Sequence, residues 1–347
     1  MRQTAIVVAP GRGTYNRPEL GYLVRNHAAQ AELLARFDAY RSRQGQETLT
    51  ALDSATRFSG AKHTRGDNAS ALIYAAAYLD FQAIDRERYD ILGVCGNSMG
   101  WYIALACAGA LGPMEGFEVV NTMGTLMHEH GIGGQLVYPF VDENWHPIPN
   151  ARRGLLKTAA RIDARPGHRL GLSINLGGML VLAGNESGLT AFEREVPRLQ
   201  DRYPMRLPNH AAFHTDLQEP VAAEGRKRLP LNLFAGPAMP LIDGRGGLWW
   251  PHATESSRLR DYTLGHQVVA PYDFATAIRS AANEFMPDVF IVLGPGATLS
   301  GSVAQSLTAA TWRGMSDKAA FQRVQSETPR LVAMGRDDQR HLATGTE

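Results

Sequence analysis

The chain has 347 residues, of which 44% are hydrophobic and 20% are charged, a balance typical of a globular protein with one large domain and an insertion, or with two domains. Its formal net charge of +1 argues against binding to nucleic acid or a membrane surface by bulk electrostatics. The first apolar run is too short for a signal peptide, and no stretch approaches a membrane span. With only two cysteines, Cys95 and Cys107, we expect a reduced, cytoplasmic protein without a disulfide framework.

The amino-terminal third alternates apolar strands with helices. Residues 6–9 predict a buried strand, residues 27–41 and 70–84 predict helices, and residues 89–95 predict a second strand. Near the other end, residues 288–293 predict a further apolar strand. Because this alternation is typical of a parallel sheet covered on both faces, we expect both ends of the chain to contribute to one sheet.

The middle of the chain has a different character. Three short strands and a helix are predicted there, at residues 135–140, 171–175, 179–183 and 189–199. We interpret residues 132–203 as a small α+β unit inserted into a large domain made of residues 1–131 and 204–347. The polar stretch 144–169 predicts a variable loop region within the insert, and the residues from 328 onward predict a loosely held tail.

The strongest candidate for chemistry is a serine between two glycines. Ser98 lies between Gly96 and Gly100, where a predicted strand meets an alanine-rich helix, and this arrangement is typical of a nucleophile elbow. Glycines at these positions permit a strained turn and a close approach of helix to strand. The pattern alone is weak, because a glycine-rich turn before a buried helix has the same sequence.

Such a serine needs a base, and the histidines offer several candidates. His214 has the most suitable context, since a neutral imidazole can take the serine proton and later return it to a leaving group. The chain has eleven histidines, so the residue type alone does not decide. His128, Glu129 and His130 do not predict a metal site, because helical residues two apart do not face one another and no third ligand is indicated.

Five motifs in order resemble a known family. They are Pro-Gly-Arg-Gly at 10–13, Gly-Asn-Ser-Met-Gly at 96–100, Ala-Phe-His-Thr at 212–215, residues 267–274 and Gly-Pro-Gly at 294–296. In this order they resemble the malonyl-CoA:acyl-carrier-protein transacylases and the acyltransferase domains of polyketide synthases. The resemblance spans about residues 5 to 305. It implies an α/β-hydrolase-like large subdomain with a parallel sheet and an inserted ferredoxin-like small subdomain.

The resemblance also implies catalytic roles at matching positions. Ser98 matches the nucleophile and His214 the base, while the backbone carbonyl of Gln267 matches the group that orients the histidine. The oxyanion hole would be the backbone N–H groups of Met99 and Arg12. Because backbone groups would do this work, an arginine where the family usually has glutamine need not abolish it.

Three departures from the family pattern bear on the acyl group. Family members that use malonyl groups carry an arginine just before the glycine that here is Gly124, but this chain has Met123. A buried carboxylate without a partner costs several kcal/mol, so we expect a neutral acyl group. Asn97 and Trp101 replace a histidine and a glutamate beside the nucleophile, although Trp101 has ordinary helix packing as an alternative. The expected acyl-binding residues are Met123, Trp101, Asn97, Phe213 and Asn175.

These observations predict an acyltransferase of fatty-acid or polyketide biosynthesis that moves a neutral acyl group from a thioester donor to an acyl carrier protein. Its substrates would be phosphopantetheine thioesters, with no bound cofactor or metal. The acidic surface of a carrier protein would meet the basic residues Arg152, Arg153, Arg226, Lys227 and Arg228, although such clusters are most often solvated faces. Three alternatives stay open: an acyl-thioester hydrolase, a malonyltransferase in which Arg12 replaces the missing anchor, and an inactive carrier-protein-binding subunit. A lipase-type triad is disfavoured, because no convincing acidic member lies between the serine and the histidine.

Overall fold

The computed structural model describes residues 2–345, which form two β-sheets surrounded by helices. In chain order, the strands of this range are β1 (Gln3–Ala9), β2 (Tyr89–Gly96), β3 (Gly134–Pro139), β4 (Leu170–Leu176), β5 (Met179–Gly184), β6 (Met205–Leu207), β7 (Leu241–Ile242), β8 (Leu248–Trp249), β9 (Val289–Val292) and β10 (Leu331–Ala333). The helices are α1 (Tyr22–His27), α2 (Ala31–Arg43), α3 (Leu49–Asp53), α4 (Gly60–His63), α5 (Gly66–Ala83), α6 (Gly100–Cys107), α7 (Pro113–His130), α8 (Ala151–Asp163), α9 (Glu186–Glu195), α10 (Glu219–Arg228), α11 (Ser256–Asp261), α12 (Gln267–Val269), α13 (Phe274–Phe285), α14 (Thr298–Ala309), α15 (Lys318–Glu327) and α16 (Asp337–Thr344). A π-helical turn, Tyr262–His266, connects α11 to α12.

The larger sheet has the strand order β10-β9-β1-β2-β7-β8. Its strands pair in parallel except for β8, which is antiparallel to β7. Residues 5–9 of β1 are fully buried, as expected for a central parallel strand that is covered on both faces. The sheet therefore joins β1 and β2 to β9, which confirms the prediction that both ends of the chain contribute to one sheet.

Two helices in the core position the turn that carries Ser98. Every residue of α6 is buried, because its sequence is apolar on all sides and such a helix is stable only inside a protein. Helix α5 is buried from Gly66 to Phe81 and packs against α7. Since α6 follows β2 after only three residues, the connecting turn lies at the carboxyl edge of the larger sheet.

The smaller sheet is antiparallel, with the order β4-β5-β3-β6. Its own apolar cluster includes Leu136 and Leu182 from the strands, together with Ile162 from α8 and Phe192 from α9. The predicted fold class, a parallel α/β sheet with a small antiparallel α+β unit, is thereby confirmed. The insert boundaries at 132 and 203 stay a prediction; β6, which pairs with β3, lies just beyond the second of them.

Three sequence predictions about individual segments were wrong or incomplete. The stretch 144–169 contains α8, whose buried residues Leu155, Ala159 and Ile162 follow helical spacing among charged neighbours. Its polar composition therefore concealed an amphipathic helix. The residues after 328 are not a loose tail in the described range, since β10 pairs with β9 and is buried. The predicted helix 27–41 is interrupted by a 3-10 turn at Ala28–Gln30.

None of the helices within residues 2–345 is both long and apolar enough to cross a membrane.

Candidate active site

Ser98 lies in a tight turn between β2 and α6. Its φ of 56° places it in the left-handed region, which a serine adopts only when its surroundings hold it there. A side chain on Gly96 would overlap the backbone of Gly100, and one on Gly100 would overlap the backbone of Ala9. The two glycines are therefore required by the close contact between the helix start and the strand ends, as the elbow motif predicts.

His214 is within hydrogen-bonding distance of the serine. Ser98 Oγ lies 2.7 Å from Nε2 of His214, and Nδ1 of His214 lies 2.7 Å from the backbone carbonyl oxygen of Gln267. Because a carbonyl can only accept, Nδ1 carries the ring proton, and Nε2 is left to accept the serine hydroxyl. The structure thus brings together the three residues that the resemblance assigns to nucleophile, base and orienting group.

Burial sets the protonation state of this histidine. It lowers the pKa of His214 from its ordinary 6.5 to about 4, and the hydrogen bond to the Gln267 carbonyl opposes this only in part. The imidazole is therefore neutral at pH 7, the form that a general base requires.

The side chain of Gln267 adds a contact that the sequence did not predict. Its Nε2 donates to the backbone carbonyl of Ser98 at 2.9 Å, and its Oε1 accepts from the hydroxyl of Tyr102 at 3.0 Å. The hydroxyl of Tyr272 donates to the carbonyl of Gly96 at 2.6 Å. These bonds hold the turn from outside the motif, between residues far apart in sequence, so no local pattern could have revealed them.

The N–H groups expected to form an oxyanion hole are available for hydrogen bonding. Within the described range, neither the backbone N–H of Met99 nor that of Arg12 donates to a protein acceptor. Both residues line the cavity that contains Ser98, and Met99 directly precedes α6. Unpaired donors at a helix start are suited to an oxyanion.

A small cavity of about 40 Å³ lies beside Ser98. Its walls are largely apolar and include Met123 and Met127 from α7, together with Phe213. Met123 is only 1% exposed, so its side chain is packed inside the protein at the wall of this cavity. Since a site for one water molecule needs roughly 10–15 Å³ of such space, the cavity holds only a few non-hydrogen atoms.

A larger cleft of about 580 Å³ runs between the two sheets. Its walls include Val137 and Val181 of the smaller sheet and Asn97 beside the nucleophile. Arg12 lines both the cleft and the Ser98 cavity. Arg12 therefore lies between the two spaces.

Arg12 is a partly buried cation without a carboxylate bonded to it among the described residues. Its Nη2 donates to the backbone carbonyls of Thr64 and Asn209, each at 2.9 Å, and its guanidinium lies 5.5 Å from the ring centroid of Phe213. Its Nε is buried without an acceptor among the described residues. Burial lowers the pKa of Arg12 to about 10, with the charge of Asp67 acting in the opposite direction, so the group stays charged at pH 7.

The structure corrects two predicted acyl-binding residues. Trp101 is fully buried, donates from Nε1 to Thr263 Oγ1 at 2.9 Å and lines neither the cavity nor the cleft, because α6 directs it toward the π-helical turn. Asn175 donates to Asp273 at 2.8 Å and also lines neither space. Of the other three, Met123 and Phe213 line the Ser98 cavity, whereas Asn97 lines the cleft.

The predicted docking residues form two separate clusters. Arg152 and Arg153 are exposed in the first turn of α8, on the smaller sheet. Lys227 and Arg228 lie at the end of α10, where both pair with a single neighbouring glutamate. Arg226 donates to a backbone carbonyl within the π-helical turn, so part of its role is structural.

The histidines of the sequence His128-Glu129-His130 lie at the end of α7. All three residues are exposed, and the contact between His130 and Glu129 is 3.8 Å. Across residues 2–345, no group of three or more histidine, cysteine, aspartate or glutamate side chains is placed to hold a metal ion.

Comparison with known sequences finds distant relatives of two kinds. No protein-family model matches the chain. Polyketide synthase GfsB of Streptomyces halstedii is 27% identical over 208 residues, which cover 60% of this chain but only 3% of that protein. The malonyl CoA-acyl carrier protein transacylase of Salmonella typhimurium is 22% identical over 231 residues, 66% of this chain and 70% of that one. The match thus spans a small part of the synthase and just over two thirds of the transacylase.

Solved structures with the same fold cover almost the whole chain. The malonyl-CoA:ACP transacylase of Synechocystis sp. PCC 6803 has a TM-score of 0.74 at 16% identity, covering 98% of this chain and 99% of that one. A malonyl-transacylase in complex with a type II polyketide synthase acyl-carrier protein has a TM-score of 0.71 at 16% identity, covering 99% and 100%. Both sheets of the present structure are therefore shared with these proteins. The superfamily predicted from the motifs is supported by these sequence and structural comparisons.

Proposed function

We propose that this chain, whose relatives and structural neighbours are malonyl-CoA:acyl-carrier-protein transacylases and polyketide synthases, is itself an acyltransferase acting on acyl carrier protein. The acyl group would pass from a thioester donor to the carrier protein through an ester on Ser98. The observation that carries the proposal is the array of Ser98, His214 and Gln267, with both linking distances at 2.7 Å and the ring proton fixed on Nδ1. This array has the geometry that nucleophilic acyl transfer requires.

The first half-reaction acylates the enzyme. Ser98 Oγ attacks the thioester carbonyl carbon while Nε2 of His214 takes the hydroxyl proton, and the N–H groups of Met99 and Arg12 stabilise the resulting oxyanion. When the intermediate collapses, the C–S bond breaks and the proton passes from Nε2 to the departing sulfur. The products are a free thiol and an acyl ester on Ser98.

The second half-reaction regenerates the enzyme. The thiol of the carrier protein's phosphopantetheine arm attacks the ester carbonyl and gives its proton to His214. The bond from the acyl carbon to Ser98 Oγ then breaks, and the proton returns to that oxygen. Water in place of the thiol would give hydrolysis by the same steps.

The acyl group proposed is short and neutral. Met123 occupies the position at which malonyl-using family members place an arginine, and the cavity beside Ser98 has room for only a few atoms among largely apolar walls. Arg12, the cation that also lines this cavity, donates twice from Nη2 to backbone carbonyls and lines the cleft as well, so it is not dedicated to the acyl group. A carboxylate in this cavity would lose hydration without gaining a dedicated partner, at a cost of several kcal/mol.

Intact-mass analysis tests the proposal. The protein is incubated with coenzyme A thioesters of acetyl, propionyl, hexanoyl and malonyl groups, and holo-acyl carrier protein is then added. The expected result is one acetyl or propionyl adduct on Ser98 that moves to the carrier protein. Loss of the adduct to free acid at the same rate with or without carrier protein would identify a hydrolase, and no adduct from any thioester would favour an inactive carrier-binding subunit.

A further inference from the structure

His210 lies in the large cleft with its ring orientation fixed by a chain of hydrogen bonds. Its Nδ1 is 2.7 Å from Oε1 of Gln135, whose Nε2 is 2.6 Å from Ser173 Oγ, which in turn donates to the Phe213 carbonyl at 2.7 Å. The Phe213 carbonyl can only accept, so Ser173 donates to it and must accept from Nε2 of Gln135. Oε1 of Gln135 then accepts from His210, and Nδ1 of His210 is the donor. Its Nε2 is therefore unprotonated and can accept a hydrogen bond, and no described residue donates to it.

Arg12 lies beside this histidine and has N–H groups that donate to no described residue. The ring of His210 and the guanidinium of Arg12 are each 5.5 Å from the ring centroid of Phe213. Nη2 of Arg12 is fully used, but Nη1 and Nε have no acceptor among residues 2–345. Burial and the charge of Arg12 lower the pKa of His210 well below its ordinary value, so the ring stays neutral.

We infer that Arg12 and His210 together bind a secondary amide, the first amide of a phosphopantetheine arm, as the thioester approaches Ser98. A secondary amide presents one carbonyl acceptor, which Arg12 would bind, and one N–H donor, which Nε2 of His210 would accept. This inference rests on the proposed function, because the arm must carry the thioester to Ser98.

The position of Arg12 fits this arm. Two methylene groups separate the sulfur of phosphopantetheine from its first amide, and Arg12 lines both the Ser98 cavity and the cleft. A carboxylate is a poorer match for the pair, because it would satisfy Arg12 but give the lone pair of His210 no donor. The arrangement therefore favours an amide over an acid group.

Three acetyl thioesters of nearly equal length test the inference. The acetyl thioester of N-acetylcysteamine keeps the amide, that of 2-mercaptoethyl acetate replaces its N–H by oxygen, and that of pentanethiol lacks both polar groups. Rates of Ser98 acylation are measured by intact mass. The amide compound should react roughly tenfold faster than the ester compound, and the ester compound roughly tenfold faster than the hydrocarbon, as for single hydrogen bonds in a buried site.

Variants separate the two halves of the subsite. His210→Phe should remove the preference for amide over ester, and His210→Gln, which restores an acceptor, should recover part of it. Arg12→Met should remove the preference for ester over hydrocarbon. His168→Phe, at a half-buried histidine that lines neither the cavity nor the cleft, is the matched control and should keep both preferences. Each preference is a ratio within one variant, so it does not depend on the folded fraction.

The outcomes distinguish this inference from the proposed function. Equal rates for the amide and ester compounds in the unmodified protein would overturn the subsite and leave the acyltransferase proposal standing. Failure of every thioester to acylate Ser98 would overturn the acyltransferase proposal itself. If Arg12→Met lowers loading from malonyl-N-acetylcysteamine and leaves the three-compound ratios unchanged, Arg12 is a carboxylate anchor and the amide subsite is wrong.

Discussion

The side chain of Gln267 donates from Nε2 to the backbone carbonyl of Ser98 at 2.9 Å. The backbone carbonyl of the same glutamine accepts from Nδ1 of His214 at 2.7 Å. One residue therefore holds both the backbone of Ser98 and the ring of His214. Because Ser98 has a left-handed φ of 56°, an external bond of this kind helps to hold a conformation that costs about 1–3 kcal/mol.

Ser98→Ala tests the identity of the acylated residue. The variant should show no acyl adduct by intact mass, because the alanine offers no oxygen to esterify. Its circular dichroism and thermal unfolding should match those of the unmodified protein, since a small hydroxyl contributes little packing. An adduct that forms at the normal rate would place the nucleophile elsewhere.

Gln267→Leu tests the positioning role of the side chain while leaving the backbone carbonyl for His214. Acylation should slow about tenfold or more, since a buried hydrogen bond to the nucleophile's backbone is lost. The loss should appear in kcat rather than in KM, because the affected group positions Ser98.

Tyr102→Phe is the matched control for that prediction. It removes the bond to Oε1 of Gln267 and keeps the bond from Nε2 to Ser98, so its effect should be smaller. Equal effects of the two substitutions on kcat would indicate a general packing defect and contradict the positioning role.

The low pKa of His214 predicts the pH dependence of acylation. The base acts in its neutral form, and burial lowers its pKa to about 4, so the active form persists to lower pH than for an ordinary imidazole. The value of kcat/KM for acylation should therefore be flat from about pH 7.5 to about pH 5.5. A decline centred near pH 6.5 would contradict this assignment.

The free energy of unfolding should also depend on pH through His214, in a direction that its lowered pKa determines. The unfolded chain binds a proton on this histidine near pH 6.5, and the folded protein binds it only near pH 4, so its contribution to stability is full above pH 6.5 and lost as the pH falls toward 4. His214→Ala should remove this pH-dependent change in the free energy of unfolding. It should also slow acylation at pH 7 by roughly a hundredfold or more. The same change at the exposed His128 should do neither.

The sequence predicted Ser98 and His214 as a pair, which lie within hydrogen-bonding distance in the structure, but it did not predict the contacts that hold them. The elbow around Ser98 is a local pattern, since the glycines and the serine are close in the chain. The side-chain bond from Gln267 joins residues 169 positions apart, so it can be identified only from the folded structure. Trp101 was misplaced because its orientation depends on the rotation of α6, which no neighbouring residue reveals.

For the fold, too, the sequence predicted some elements and missed others. The central strands were predicted because parallel strands buried on both faces form continuous apolar runs. Helix α8 was missed because only Leu155, Ala159 and Ile162 of its apolar face are buried among charged residues. Strand β10 has three residues, too few for its pattern to be distinguished before its pairing with β9 is known.

Carrier-protein docking is best tested at the start of α8. Replacing Arg152 and Arg153 by glutamate should slow transfer to carrier protein roughly five- to tenfold and leave self-acylation from small thioesters unchanged, because charges at an interface rim act mainly on association. These exposed side chains are the cleaner choice, since Arg226 also bonds to the backbone of the π-helical turn. The same reversal at the exposed Arg36 and Arg57 is the control. Transfer that is insensitive both to the α8 reversal and to salt would exclude this cluster.

Met123→Arg tests the argument for a neutral acyl group. In the unmodified protein, acetyl thioesters should load Ser98 about a hundredfold faster than malonyl thioesters, because Met123 offers a carboxylate no charged partner and Arg12 is not dedicated to the acyl group. Met123 packs closely against Gly225 of α10, so an arginine there must extend toward the Ser98 cavity. Its guanidinium would supply the missing partner for the carboxylate. The ratio of acetyl to malonyl loading rates should therefore fall or reverse.

The control for this change is Met286→Arg, at a methionine after α13 that is 74% exposed and lines neither the cavity nor the cleft. It should keep the original preference, which separates a local pairing effect from a general effect of added charge. If the unmodified protein loads malonyl faster than every neutral acyl thioester, the neutral-acyl proposal is wrong. In that case Arg12 is the next residue to test as the carboxylate anchor, because it is the cation that lines the same cavity and keeps unpaired donors at Nε and Nη1.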